Sequence, residues 1–457
     1  IAVPSTIQDV IMARVDALLE GAKGLLQTGS VAGREFSHDL IRKLTDLSEE
    51  ELCCNLSVLR DSELIYERGI YPKSRYVFKH ALTQDVAYNS LLDKKKREIH
   101  ERIAKALEGI FMDRLEELCE VLAFHALRGE DWQRAYTYSR KAGLKAFSHS
   151  AYEEAQRYFE DALTALKNLP RERERIEEEI DLRFSMRSAL LPLGLNEEWG
   201  EWVRGAEPLA REIKDDARLA NVFSYLSSLH WIQDQTRKAI ELGGEAFTLA
   251  ERTGDFSTQV ATMLHLGIYY FTSGEYPKQV ELHQELRRRL TGEAAYQQHG
   301  LTSFPAAWAR GNLALSRAEL GNFDGLQVIA DEALEIAERV ENAFTLVITY
   351  SLLGMAYLRL GKVEPALVLL EKGHELCRSS KVQFVYPYAA GSLGYAYLLA
   401  NEPTRALSVL EEGTKPGNLE GAVWTVHPLT ALGDTYLALG EIDLATETVS
   451  NALWFAD

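Results

Sequence analysis

The sequence predicts a mainly α protein: an N-terminal helical domain with one small β-hairpin, then a right-handed superhelix of antiparallel helix pairs repeating about every 40 residues. Three observations predict it. Leu-Gly or similar small-residue anchors recur at near-constant spacing from residue 227 onward. Apolar residues of the first segment, 5–18, fall on one helical face. Only 12 prolines interrupt 457 residues, which favours long helices over many short strands.

Residues 5–18 (STIQDVIMARVDAL) set Ile7, Val10, Ile11, Val15 and Leu18 on one helical face, with Ser5 as N-cap. GAKGLLQTGSVAG continues as a second helix, and SHDLIRKLT as a third capped by Ser37. A fourth helix over 48–64 (SEEELCCNLSVLRDSEL) opens with Ser48 and Glu51 in capping-box spacing, each side chain serving the other's backbone N–H. LIYERG and RYVFKH flank IYPKS, the pattern of a short hairpin. Helix resumes in ALTQDVAYNSLL, and residues 1–92 read as one domain.

Residues 93–200 form an irregular helical connector. DKKKREIHERIAK (93–105) is basic, yet Asp93, Glu98 and Glu101 share its helix, so it reads as a solvated face. LRGEDWQRAYTYSRKAG (127–143) and SAYEEAQRYFEDALTAL (150–166) both read as second helices of pairs. Their Ala135 and Ala155 lie only 20 residues apart, so one helix must serve two neighbours. RERERIEEEID (171–181) alternates charge and reads as solvated.

Residues 201–457 carry the clearest repeats. LGMAYLRLGKVEPALVLL (353–370), LGYAYLLANEPTRALSVL (393–410) and LGDTYLALGEIDLATETV (432–449) align without gaps. Gly354, Gly394 and Gly433 let one helix approach its partner, and Ala366, Ala406 and Ala445 do the same from the second helix. Tyr357, Tyr397 and Tyr436 fill the space above, and Pro365 and Pro403 fall in the first turn of the second helix, where no N–H is needed. Weaker copies lie upstream at Gly267, Ala314 and Ser227, so successive anchors stand 40, 47, 40, 40 and 39 residues apart. Residues 291–303 account for the 47-residue step. This pattern resembles the tetratricopeptide repeat, with helices longer than its 34-residue norm. The resemblance implies a concave wall built from the first helix of each pair. Carried over position by position, that wall includes Asn221, Ser228, Trp231, Phe271, Trp308, Arg359, Tyr388, Tyr395, His427 and Asp434. Aromatic and polar groups side by side suit a protein, a peptide or a small ligand, while helical phase alone leaves groove and core equally open for each.

Helices followed by a hairpin make a winged helix, a fold often used on DNA. Here the helix over 48–64 carries Glu49, Glu50, Glu51, Asp61 and Glu63 against Arg60 alone, which would repel phosphates. Net charge is −18, and 14 of those charges fall beyond residue 130, so a polyanion is not the expected partner. Four cysteines, Cys53, Cys54, Cys119 and Cys377, show neither metal-ligand spacing nor a disulfide framework, which points to a reducing, cytoplasmic setting. Of the adjacent pair, one buried thiol and one bystander are expected. The uncharged run 382–401 contains Pro387, Gly391 and Gly394 and falls in repeat register, so a buried repeat helix is expected rather than a membrane span. No Walker A run, H-E-x-x-H or G-x-S-x-G elbow occurs, and no catalytic or metal site is expected.

The run VAGREFSHDLI, SEEELCCNLSVLRDSELIYERG and YVFKHALTQDVAYNSLLDKKKREIHERIAKALE resembles the winged-helix segment of signal-transduction ATPases with numerous domains. More closely, it is similar to bacterial proteins that join a class III adenylate/guanylate cyclase, such an ATPase and a tetratricopeptide tail. The resemblance covers residues 1 to about 145. It implies that His80, beside Lys79, senses the nucleotide phosphates of an ATPase domain preceding this segment, and that ATP or ADP with Mg belongs to that domain. A histidine at a helix start can offer N–H donors to an anion; the alternative is a capping or core histidine. Ile1 in place of a Met fits a piece of a longer chain. The expectation is a non-catalytic regulatory scaffold without a cofactor of its own, taking a partner in the groove and relaying it through the winged helix to the ATPase, with cyclase as a further effector. The alternatives are a DNA-binding transcriptional regulator and a constitutive assembly scaffold.

Overall fold

The computed structural model describes residues 5–415 and 425–456. Helices dominate, with one three-stranded sheet near the N-terminus. Two compact units divide the chain, Ile1–Ala142 with Tyr158–Pro170, and Gly143–Arg157 with Arg171–Asp457. The helices Trp132–Ser148 and Tyr152–Lys167 each contribute to both.

In the first unit the four expected helices are Ser5–Asp16, Glu20–Ala32, His38–Leu44 and Glu49–Asp61. Ser37 caps the third by accepting from the Leu40 N–H, and Ser48 with Glu51 closes both arms of a capping box. Ser5 is the first helical residue rather than the cap. The apolar face expected on that helix is only half used: Val15 is buried and Ile11 and Leu18 pack beside it, whereas Ile7 and Val10 are exposed. The contacts that cover this helix come from Ala81–Asn89, which reaches only part of its surface.

The hairpin strands are Ile65–Arg68 and Arg75–Phe78, and a third strand, Glu35–Ser37, adds to them. In chain order these are β1 (Glu35–Ser37), β2 (Ile65–Arg68) and β3 (Arg75–Phe78), antiparallel in the spatial order β1-β3-β2, with Phe36 opposite Tyr76 and Tyr66 opposite Val77. Three residues are too short to show alternation, so β1 is invisible to periodicity. Phe36 anchors it by packing on Gly29, where a Cβ would lie 2.6 Å from the ring. Phe36, Phe78, Leu25, Leu52 and Leu59 share one buried cluster. All four cysteines are free, and of the adjacent pair Cys53 is half-buried and Cys54 exposed, so neither is the buried thiol expected. Cys53, His38 and Glu49 stand close enough to ligate one ion. Glu49 Oε1 is already engaged by His38 Nε2 at 2.7 Å and by the Tyr71 hydroxyl at 3.0 Å, which explains the grouping without one.

Beneath the basic face of Asp93–Ile110 two histidines meet: His100 Nδ1 lies 2.9 Å from His125 Nδ1 on Cys119–Arg128, and both rings are buried. Burial pushes His100 down to about 4. Burial, then the facing His100, pushes His125 down to about 3.

The second unit stacks helix pairs. Its first helices include Asp216–Ile232, Phe256–Thr272, Pro305–Glu319, Ala343–Arg359, Tyr386–Leu399 and Val426–Leu439, and each packs on the first helix of the next pair. The small-residue anchors do what spacing predicts. A Cβ at Gly354 would stand 2.5 Å from Leu370, at Gly394 2.4 Å from Leu410, and at Gly433 2.7 Å from Val449, each on the second helix of its own pair. Ala366, Ala406 and Ala445 are buried opposite. The run 382–401 folds as the repeat helix Tyr386–Leu399, and among the described residues no helix is long and apolar enough to cross a membrane. Residues 291–303 form a short 3-10 turn, Gly292–Tyr296, and a loop.

Two outcomes follow from these contacts. Gly394→Ala should lower stability by about 1–3 kcal/mol, because Leu410 must move. Gly244→Ala, in a helix interior with open space around it, should instead gain up to about 1 kcal/mol; denaturant melts of both variants check the pair. A histidine that is neutral when folded and near 6.5 when unfolded lets the unfolded chain bind more protons below pH 6.5. Stability is therefore full above that value and lost as pH falls toward about 4, the value of His100. His125→Gln should flatten the fall in denaturation midpoint between pH 6.5 and 4.

Candidate functional site: a buried arginine on the first-helix face

The helix Arg173–Leu190 ends with a fully enclosed guanidinium. Arg187 is 2% exposed, with its side chain over the Tyr225 ring at 4.4 Å and the Trp199 ring at 5.3 Å. Such cation–π contacts offset part of the cost of burial but leave in-plane N–H groups unused. Nε and Nη1 of Arg187 have no hydrogen-bond acceptor. Burial drives this guanidinium's pKa downward, against the opposing influence of Tyr225 and then Tyr269.

Arg187 lines a small chamber with Ser228, Trp231, His265, Tyr269 and Trp308. A polar chain organises one wall: the Tyr269 hydroxyl donates to Ser228 Oγ at 3.2 Å, and His265 Nδ1 lies 3.3 Å from both Ser224 Oγ and Ser228 Oγ. Burial, reinforced by Arg187, holds His265 down to about 3, so the ring stays neutral. Burial raises the Tyr269 hydroxyl to about 12. Trp231 packs at 5.9 Å from Tyr269 and donates its indole N–H to Thr272.

The irregular loop completes the enclosure. Leu301, Thr302 and Ser303 line the chamber, the Tyr225 hydroxyl donates to the Gly300 carbonyl at 2.8 Å, and Thr302 donates to the Ser188 carbonyl at 3.1 Å. The backbone N–H of Phe384 donates to the Pro192 carbonyl at 3.2 Å, bringing Phe384 beside Phe344 at 6.3 Å and Trp308 within 6.1 Å of Phe344. The insertion that breaks the repeat spacing is thus part of the chamber wall.

Of the residues expected on the wall, Ser228, Trp231 and Trp308 meet around Arg187. A second group forms further along: Tyr388 and His427 pack with tilted rings at 5.5 Å, Ser392 Oγ lies 3.4 Å from His427 Nε2, and Arg359 sits 5.9 Å over the Tyr395 ring while pairing with Glu319 at 2.8 Å. Burial, then Arg359, lowers His427 to about 4. Phe271 packs against Tyr276, Asn221 donates to its own helix at Ala217, and Asp434 is exposed; these three join neither group. In the first unit His80 is exposed at the N-cap of Ala81–Asn89, where its side chain makes no capping bond and does not enter the core, and Lys79 pairs with Glu63 at 2.8 Å. Arg187 was legible only as one of two arginines in RFSMRSALLP (183–192); its uninterrupted apolar flank Ala189–Leu191 was the available signal.

A family model described as tetratricopeptide repeat matches residues 305–379, the two pairs from Pro305 to Ser379. A 165-residue stretch, 35% of this chain, is 26% identical to an uncharacterized protein of Rhizobium meliloti (strain 1021), and spans 16% of that protein's length. Among solved structures, a Rap protein complexed with Competence and Sporulation Factor aligns at TM-score 0.53 and 13% identity over 70% of this chain and 87% of its own. The Rap conjugation gene regulator of plasmid pLS20, in complex with the Phr* peptide, aligns at 0.51 and 12% over 78% and 93%. A signal transduction ATPase with numerous domains from Pyrococcus horikoshii, with a tetratricopeptide repeat sensor, aligns at 0.47 and 14% over 96% and 63%. The chain therefore has a mainly α fold with tetratricopeptide-like helix pairs.

Tyr225→Phe removes the bond that ties the loop to the helix stack. It should cost about 1 kcal/mol and speed amide exchange in residues 297–303, measured by hydrogen–deuterium exchange.

Proposed function

We propose that this chain is a non-catalytic sensor scaffold whose first-helix face takes a peptide or protein partner, with its N-terminal unit relaying occupancy to an ATPase domain. The observation that carries the reading is the convergence of aromatic and polar first-helix residues into two groups, one around Arg187 and one around Tyr388 and His427. Aromatic faces beside a few fixed polar groups are what a recognition surface needs. The Rap conjugation gene regulator in complex with the Phr* peptide supplies the analogy for a peptide partner, and the Rap protein complexed with Competence and Sporulation Factor that for a bound factor.

For the N-terminal unit the reading is a winged helix. Helices followed by the antiparallel sheet β1-β3-β2 agree with it, and so does exposure of His80 at the start of the helix after β3. His80 and Lys79 would face the nucleotide phosphates of an ATPase domain, to which ATP or ADP and Mg belong; a cyclase would be the further effector. Such coupling needs only about 1–3 kcal/mol between two arrangements. Binding of DNA by this unit has little support: Arg60, the cation of the helix Glu49–Asp61, already lies 3.3 Å from Glu67 and 3.5 Å from Asp61.

The test uses the chain as bait in lysate, with Tyr395→Ala/His427→Ala as the control. The expected result is a partner retained by the wild type and at least tenfold depleted with the double variant, at a melting temperature that shows the variant folded. The same melts with ATP and ADP should show no shift. ATP turnover by the purified chain would overturn the non-catalytic reading, and a nucleotide shift lost in His80→Ala would give the N-terminal unit an anion site of its own.

A further inference from the structure

The insertion that breaks the repeat spacing has a second side. Its first residues, the 3-10 turn Gly292–Tyr296, close a pocket of about 1010 Å³ against the second helices Tyr276–Arg289 and Leu326–Val340. One wall is a triad of charges. Glu332 takes Arg287 through both oxygens, at 2.6 and 2.9 Å, and Arg310 at 2.9 Å. Arg310 is 5% exposed and also donates to the Arg287 and Leu290 carbonyls, which fixes it in place. Arg287, then Arg310, hold the Glu332 carboxyl down to about 2, so the triad keeps one surplus positive charge.

Other charges of the lining are uncommitted. Arg339 sits 4.1 Å over the Tyr296 ring. It stands four residues after Glu335 on one helix, the spacing at which a glutamate and an arginine ordinarily pair, yet among the described residues it has no carboxylate partner. Glu335 and Glu293 likewise make no ion pair or hydrogen bond among the described residues. Stacking on Tyr296 thus keeps Arg339 from Glu335, and both signs of charge line one space. A lone anion there would meet Glu293 and Glu335, and a lone cation would meet Arg339 and the triad. A molecule carrying both signs answers both. Leu290, Ala295 and Ile336 add an apolar strip, and the volume leaves room for a side chain beside the charged groups.

We infer that this pocket binds a small zwitterion with one ammonium and one carboxylate group, the chemistry of a free amino acid or a free-ended dipeptide. The carboxylate meets Arg339 and the surplus charge of the triad, and the ammonium meets Glu335 and Glu293. The site is separate from the first-helix face and does not depend on the peptide reading given above. Its position also makes it regulatory. The turn Gly292–Tyr296 runs on into the loop whose Gly300 and Thr302 bond Tyr225 and Ser188 beside Arg187, so a ligand on the turn steadies residues 297–303.

The experiment is equilibrium dialysis of the whole chain, read by mass spectrometry, against a pool of free amino acids, a pool of random free-ended dipeptides, and the N-acetylated and amidated forms of both. The expected result is retention of one or both free pools about tenfold or more above their blocked forms. Which pool is retained identifies the source of the zwitterion. Glu335→Gln should erase the preference for free over acetylated ligands, and Arg339→Gln the preference for free over amidated ones. Both side chains are exposed, so both variants should melt with the wild type. Amide exchange in residues 297–303 should slow with the retained pool; retention without slower exchange supports the site and overturns its link to the loop. Free and blocked pools retained alike, or no pool retained, overturn the inference. Retention lost in Tyr395→Ala/His427→Ala but kept in both pocket variants assigns the binding to the first-helix face and overturns it too.

Discussion

The close approach of paired helices at small residues is the constraint on which the repeat unit depends. Gly354, Gly394 and Gly433 bring each first helix so near its partner that Leu370, Leu410 and Val449 rest where a Cβ would otherwise sit. Ala366, Ala406 and Ala445 of the second helices are buried, as are Tyr357 and Tyr397 of the first, while Tyr436 is half-buried. Gly267 repeats the device with His283, whose ring lies where a Cβ would be and reaches the Leu264 carbonyl at 3.3 Å. Because each pair cannot bury its apolar face alone, the same spacing fixes the stacking of neighbouring pairs.

Function is borrowed from this regularity by breaking it. Where the spacing lengthens to 47 residues, the extra chain forms the loop that encloses Arg187. Tyr225 and Ser188 hold that loop through its backbone carbonyl and through Thr302, so a departure from the repeat becomes a wall. Polar groups deep in a helix stack are tolerated when each has a partner, as along Ser224, Ser228, His265 and Tyr269. Nε and Nη1 of Arg187 and the Ser303 hydroxyl are atoms of that wall without one.

The N-terminal unit follows different rules. Its sheet is small, its core is two clusters, one around Phe36 and Phe78 and one around Ile103 and Leu122, and its surface carries ion pairs such as Lys79–Glu63 and Arg60–Glu67. Exposed pairs of this kind contribute little stability. The buried His100–His125 contact, with both rings held neutral, makes the stability of this unit depend on pH.

The sequence by itself determined the local structure: capping at Ser37 and Ser48, the hairpin, the helix pairs and the glycine and alanine anchors are all set by residues within about one helix pair of each other. Capping, turn chemistry and helical period act over short range, so they can be read in order along the chain. Strand β1 escaped because three residues carry no period, and the buried adjacent thiol was misplaced because burial is not a local property. The same limit governed the wall. Helical phase put Ser228, Trp231 and Trp308 on the right helices, but it could not separate them from Phe271 and Asp434, which join neither group. Only the tertiary structure decided that Arg187, some forty residues before Ser228, loses its water. That desolvation is made by side chains from Trp199 to Phe384, and no segment of the sequence contains it.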